Sequence, residues 1–128
     1  FIGQALAGQP ITVYDDGRQT RCFTYVADTV RGTLLAASSP QAEGKAFNIG
    51  SNRETAIVEL AQMVRDLTNA VVDIVHVPYT EAYGPRFEET RRRVPDVARA
   101  QTLLGFEPQV ALEDGLGRTI EWFRQNRV

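Results

Sequence analysis

Tyr14 to Gly32 reads YDDGRQTRCFTYVADTVRG, and the rest of the chain falls into place around it. Asp15-Asp16-Gly17 is a turn signal, because aspartate and glycine tolerate the positive φ angles of tight turns. Before it, ITVY (Ile11–Tyr14) is rich in β-branched residues and predicts a strand. After it, Gln19 to Val26 places Cys22, Phe23 and Tyr25 in an extended, β-compatible run, so a hairpin is expected. Asp28 then stands where an N-cap would open a helix carrying Val30, Leu34 and Leu35. Folding alone needs the turn and the apolar residues. It does not need Gln19, Thr20 and Arg21 set side by side, and that cluster points to a polar ligand.

Upstream, residues 1–7 read as the tail of a helix closed by Gly8. They lack the basic region, apolar core and cleavage site of a signal peptide, so the chain is expected to begin within an element. Downstream, SSPQAEGK (38–45) is a linker, and AFNIG (46–50) is a nearly continuous apolar run that predicts a buried strand. Thr55 is placed to cap a helix whose Ile57, Leu60, Ala61, Val64 and Leu67 recur at spacings of three and four on one face. VVDIVHVP (71–78) predicts another strand, and TEAYGPRFEETRRRV (80–94) has no sustained period and reads as a loop. Pro95 and Asp96 open a helix that ends at Gly105. The last helix starts near Leu112, with Glu113 and Asp114 at its positive end, and buries Leu112, Leu116, Ile120 and Phe123. This alternation predicts an α/β fold, a small sheet with packed helices, in one domain spanning 1–128.

The 128 residues suffice to bury roughly two-thirds of the unfolded chain's surface. Hydrophobic content of 43% and charged content of 23% are those of a globular protein. No apolar run approaches the roughly 20 residues that span a bilayer, so no membrane partner is expected. Cys22 is the single cysteine, which rules out an internal disulfide and fits a cytoplasmic setting. Of the 14 basic residues all but Lys45 are arginine, which permits bidentate recognition of phosphate or carboxylate. The net charge of −2 and the absence of zinc-finger or RNA-binding motifs argue against nucleic acid.

Catalytic groups are scarce. His76 lies in an apolar strand and reads as structural, and no second histidine or cysteine cluster offers a metal ligand set. Cys22 lacks a histidine partner for a thiol nucleophile. Glu88-Glu89 is an adjacent acidic pair in a polar loop, where such pairs are usually solvated. GSNRET (50–55) lacks the spaced glycines of a dinucleotide loop. Two arginine-bearing segments remain, RQTR (18–21) and RRRVPD (91–96). Arg21 and Arg93 are expected to converge on one anion, with Asp96 accepting from a hydroxyl or orienting an arginine.

ALAGQPITVYDDGRQTRCFTYVADTVRGTLLA (5–36), KAFNIGSNRETAIVELAQMV (45–64) and RRRVPDVARAQTLLGFEPQVALEDGLGRTIEWF (91–123), in this order and spacing, resemble the C-terminal substrate-binding part of extended short-chain dehydrogenase/reductases acting on nucleotide sugars. Within that family they are most similar to UDP-glucose 4-epimerases and UDP-glucuronate decarboxylases, with dTDP-glucose 4,6-dehydratases further away. The resemblance implies that Thr12 to Tyr14 lies along the nucleotide base. It implies that Arg21 and Arg93 contact the diphosphate with Gln19 nearby, and that Asp96 serves the ribose or the arginines. It also implies NAD as cofactor of a full-length, plausibly homodimeric enzyme whose N-terminal Rossmann unit carries the glycine motif and a catalytic Tyr-x-x-x-Lys. Neither motif occurs in this sequence, so no catalytic or cofactor-binding residue is assigned here, and no NAD is expected to bind this chain alone. Two departures stand out: Asp15 follows Tyr14 where the family often has glycine, and Cys22 takes a position often held by aspartate. The competing reading is a non-catalytic nucleotide-binding or protein-interaction module on the same scaffold.

Overall fold

A computed structural model describes residues 1–84 and 89–126. Helix α1 (Ile2–Leu6) is followed by Gly8 at φ 68° and by strand β1 (Ile11–Tyr14). Ile11 and Val13 are fully buried and alternate with half-buried Thr12 and Tyr14, the period-two signature of a strand with one face in a core. β1 pairs in parallel with β4 (Ile74–Val77), in a register from Ile11↔Ile74 to Tyr14↔Val77. Parallel pairing requires a crossover, and helix α3 (Ile57–Thr68) lies within the connection. It packs on β1, α1 and the C-terminal helix. As its spacing predicts, α3 buries Ala61 and Val64 against Ala5, Ile11 and Val13.

No hairpin forms. Strand β2 (Thr20–Cys22) pairs antiparallel with β3 (Glu54–Ala56), in a second two-stranded sheet separate from β1. After the turn the chain is captured by the start of α3: Val58 N–H donates to Gly17 O at 3.0 Å and Ile57 N–H to Gln19 O at 3.1 Å. Gly17 sits at φ 68°, and a Cβ there would lie 2.7 Å from Val13 Cγ1 and 2.9 Å from Val58 Cβ. The strand expected over Gln19–Val26 is accordingly cut to three residues. Thr55 is not a cap but a buried member of β3, and the N–H of Ala56 donates to Glu59 Oε2 at 3.2 Å instead.

Helix α2 spans Val26–Ser38, so Asp28 falls inside its first turn and not at the N-cap. The Asp28 side chain is buried because it turns inward. Its Oδ2 accepts the Gln109 and Val110 N–H groups, both at 2.9 Å, and Oδ1 accepts Arg31 Nη2 at 3.0 Å. Of the apolar residues read on this helix, Val30 and Leu34 are 52% and 64% exposed and Leu35 is half-buried. The helix packs through Gly32, where a Cβ would lie 2.3 Å from Ile49 Cγ2 and 2.9 Å from Phe106 Cε2. A short 3-10 turn, Pro40–Ala42, ends this region. AFNIG forms no strand among the described residues, since a strand is defined by a backbone ladder and the bonds of this segment there run through side chains, from Arg99 to Ala46 O and from Asn48 to Asp96 O.

The segment read as a loop contains a short helix α4 (Tyr79–Tyr83), and its residues 85–88, including Glu88, lie outside the described residues. Helix α5 (Ala98–Leu104) begins two residues later than Asp96, whose Oδ1 accepts the Ala98 N–H at 3.0 Å, and it closes at Gly105 with φ 60°. Helix α6 (Leu112–Asn126) starts where the sequence predicts and buries Gly115 and Ile120, with Leu116 and Phe123 half-buried. The small α/β fold with packed helices is therefore the one expected. No helix of the described residues is long and apolar enough to cross a membrane.

Candidate functional site

β2 is the meeting point of three distant segments. β3 lies along one edge, and on the other Thr20 N–H donates to Arg91 O at 2.9 Å while Thr20 and Arg92 form a parallel bridge. RQTR and RRRVPD are thus side by side, as expected. Successive residues of an extended chain face opposite ways, and this sorts the arginines. On one face Arg92 reaches Glu54 at 2.6 Å, and Thr20 Oγ1 donates to Glu54 Oε2 at 2.9 Å. Those hydrogen bonds hold the Glu54 carboxyl below its ordinary range. Arg91 is taken by Asp16, at 2.7 and 2.9 Å, in the turn after β1.

Arg21 belongs to the opposite face. Its Nη1 donates to Thr20 O at 2.7 Å and its Nη2 to Glu89 Oε1, with 20% of the side chain exposed. Glu89 Oε2 accepts the Tyr79 hydroxyl at 3.0 Å. Gln19, only 4% exposed, donates through Nε2 to the Tyr79 hydroxyl at 2.9 Å and to Tyr14 O at 3.3 Å. The ring of Tyr14 stacks on Tyr79 at 5.9 Å and meets Tyr83 edge-on at 5.2 Å. Burial first, then the hydrogen bond to Glu89 and its charge, push the Tyr79 phenol up to about 12. At neutral pH it is therefore an O–H donor.

The structure joins Tyr14, Gln19 and Arg21 in this network and adds Tyr79, which the sequence reading did not single out, and Glu89, which it read as part of a solvated acidic pair and which is instead about four-fifths buried and paired with Arg21. Thr12 is one residue removed from it, its N–H and Oγ1 engaged by Gln4 at 3.1 and 3.0 Å. Arg93 is exposed, next in sequence to the bridged Arg92, and forms no ion pair among the described residues. Asp96 stands apart, in a groove of about 250 Å³ with Ala46, Phe47, Asn48 and Arg99. His76 is exposed and its Nδ1 lies 2.7 Å from Asp15 O, a contact that ties β4 to the turn. Burial, followed by the charge of Glu54, pushes the Cys22 thiol up, the reverse of an activated nucleophile. Among the described residues no cluster of histidine, cysteine or carboxylate side chains could hold a metal.

The site thus sets an arginine–carboxylate pair beside a cluster of three tyrosines on a small α/β scaffold. The sequence model of the family described as GDP-mannose 4,6 dehydratase matches residues 1–119, and the chain belongs to that family of extended short-chain dehydrogenase/reductases. It is 46% identical over 98% of its length to a UDP-N-acetyl-alpha-D-glucosaminuronate decarboxylase of Bacillus cytotoxicus, of which it covers 39%. Its structure is similar to a UDP-glucose 4-epimerase of Thermotoga maritima solved with UDP-glucose, with a TM-score of 0.87, 32% identity, and coverage of 99% of this chain and 38% of that one. It is also similar to a UDP-glucuronic acid 4-epimerase of Bacillus cereus in complex with UDP-glucuronic acid and NAD, with a TM-score of 0.84, 30% identity, and coverage of 97% and 38%. The chain thus spans well under half the length of the relatives it matches.

Proposed function

We propose that residues 1–128 form the nucleotide-sugar-binding domain of a longer enzyme. In it they would hold the diphosphate of a UDP-linked sugar for NAD-dependent 4-epimerisation, dehydration or decarboxylation. The observation that carries this reading is Arg21. Its guanidinium, on β2, is held by Thr20 O and Glu89, and a guanidinium presents paired N–H groups that match phosphate oxygens. The complexes of the relatives with UDP-sugars support the choice of ligand. In this reading Thr12 to Tyr14 and its aromatic neighbours lie along the base, Arg93 is the second cation at the diphosphate, and Asp96 serves the ribose. Holding the diphosphate aims the sugar, and such orientation can supply a large part of a barrier reduction.

Among the described residues, no strand-to-helix connection is of the kind that receives a dinucleotide. A dinucleotide's pyrophosphate is received by a glycine-rich turn from a strand into a helix. Here β2 reaches α2 through Phe23-Thr24-Tyr25, β3 runs directly into α3, and β4 reaches α4 through Pro78. The NAD reported with a relative supports NAD in the full-length enzyme, and in this reading it is held by residues outside this chain. A cytoplasmic setting and a homodimer of the longer protein complete the proposal.

The test is calorimetric titration of the full-length protein with UDP. Arg21→Ala should cost about 1.5–3 kcal/mol of binding, the range for a hydrogen bond to a charged group, and unchanged affinity rejects the reading. If Arg93 shares the diphosphate, the double variant should lose less than the sum of the single losses. Strict additivity places it elsewhere.

A further inference from the structure

We infer that residues 26–50 are a docking unit, in which the outward face of α2 lies on a β-sheet in the remainder of the longer polypeptide and the AFNIG segment pairs with the edge of that sheet. This rests on the reading that the chain is one domain of a longer enzyme, and not on where the diphosphate sits. The unit is an excursion with a closed root. The chain leaves β2 after Cys22 and returns to β3 at Glu54, and these two residues are register partners. Between the two connections Ser51 N–H donates to Thr24 Oγ1 at 2.9 Å.

Along α2 the usual polarity is inverted. Its only charged residues, Asp28 and Arg31, turn inward to one another and to Gln109, Val110 and Glu107. Val26, Val30 and Leu34 recur every fourth residue on the side away from Gly32 and are 65%, 52% and 64% exposed. A helix with its ion pair inside and an apolar stripe outside is one that is covered on both sides. AFNIG makes the same demand in hydrogen bonds. Phe47 and Ile49 are half-buried and alternate with exposed Ala46 and Asn48, the period of a strand, and Ile49 lies against Gly32 of α2. Yet no backbone–backbone hydrogen bond engages 46–50 among the described residues. A run of unladdered donors and acceptors is what the edge of a sheet completes, and an apolar helix beside it is what covers a sheet's face. A second copy could cover α2, but the ladder that AFNIG lacks calls for a strand edge. The chain covers 39% and 38% of two relatives, which leaves more than half of each to supply that sheet.

The experiment uses the full-length protein. Amide exchange followed by mass spectrometry should find 46–50 protected like β1, and exchange at the rate of an open loop overturns the docking. Val30→Ala and Leu34→Ala then read the face by sign. On a solvated helix alanine is the better helix former, so each variant would leave the melting temperature unchanged or raise it. On a docked face each should lower it by about 2–4 °C and speed exchange at 46–50, while Val71→Ala, at a fully exposed position outside the unit, does neither. Unchanged or raised melting temperatures overturn the inference. Variants that only split a dimer, with exchange at 46–50 unaltered, overturn it in favour of a second copy. Titration with UDP keeps the two readings apart: a parent protein that fails to bind UDP brings down the nucleotide-sugar reading, whereas intact UDP binding with open exchange at 46–50 brings down the docking alone.

Discussion

Asp28 and Glu89 each clamp an arginine, and they do so to different ends. The Asp28 carboxylate is 2% exposed and saturated by two backbone N–H groups and Arg31. Arg31 spends its remaining reach on Glu107 O and lies 5.1 Å over the ring of Phe106. Both bonds are made by Nη2, so guanidinium donors are left over here too, and it is the buried carboxylate that sets this pair apart. Glu89 is about one-fifth exposed, as is Arg21, and donors of the guanidinium remain unspent. The same pair of residue types makes a knot that ties α2 to the segment before α6, and a presented cation beside β2. Burial of the carboxylate separates the two pairs here; charge does not.

The strongest way to break that contrast is Asp28→Ala. It strands two N–H groups, each costing about 1–3 kcal/mol when buried and unsatisfied, so a loss of about 3 kcal/mol of stability is expected by urea titration. Arg21→Ala should barely move the same transition, by about 1 kcal/mol or less, as for partly exposed ion pairs. Equal losses would erase the distinction.

The pH dependence sharpens it. Burial alone would push the Asp28 carboxyl up, but the Val110 and Gln109 N–H groups and Arg31 outweigh it and hold it below its ordinary value. A depressed folded-state value means that this stabilisation is complete above the unfolded value of about 3.9. It drains as pH falls through the folded value. Melting temperature should therefore drop on acidification below about pH 4, and Asp28→Asn should flatten that drop. A variant as acid-sensitive as the parent would assign the drop to other groups. Smallest of all should be Arg92→Ala, an exposed pair with Glu54 on the face of β2 away from Arg21. Its melting curve and its UDP affinity should both overlay the parent's, and weakened UDP binding would put the ligand on the wrong face.

Regular elements with their own period were readable from sequence. α3 and α6 carry apolar residues at helical spacing, and β1 alternates with β-branched side chains, so each could be placed without knowing its neighbours. The hairpin was misread because strand–turn–strand is a local pattern, whereas β2 finds its partner across the whole of α2 at Glu54–Ala56. AFNIG looked like a strand from composition, but pairing belongs to two segments and not to one. Asp28 was legible as a helix-start residue and illegible as a clamp, since its partners lie 81 and 82 residues on. Arg21 and Gln19 could be singled out because they follow a turn in close succession. The pairing of Glu89, read as solvated, and the part played by Tyr79 were not legible, because they join Arg21 and Gln19 from 68 and 60 residues away.

The parallel register of β1 on β4 also bears on how the chain reaches its fold. Ile11 cannot meet Ile74 until everything between them has been drawn into a closed loop, and the entropy of that closure is lost before any ladder bond repays it. α3 shortens the loop by coiling up within it. The order of events should therefore run from helix to strand pair: destabilising substitutions in α3 should slow refolding, and those in β4 should chiefly hasten unfolding. Stopped-flow chevrons of Ala61→Gly and Val75→Ala would show which limb each one moves.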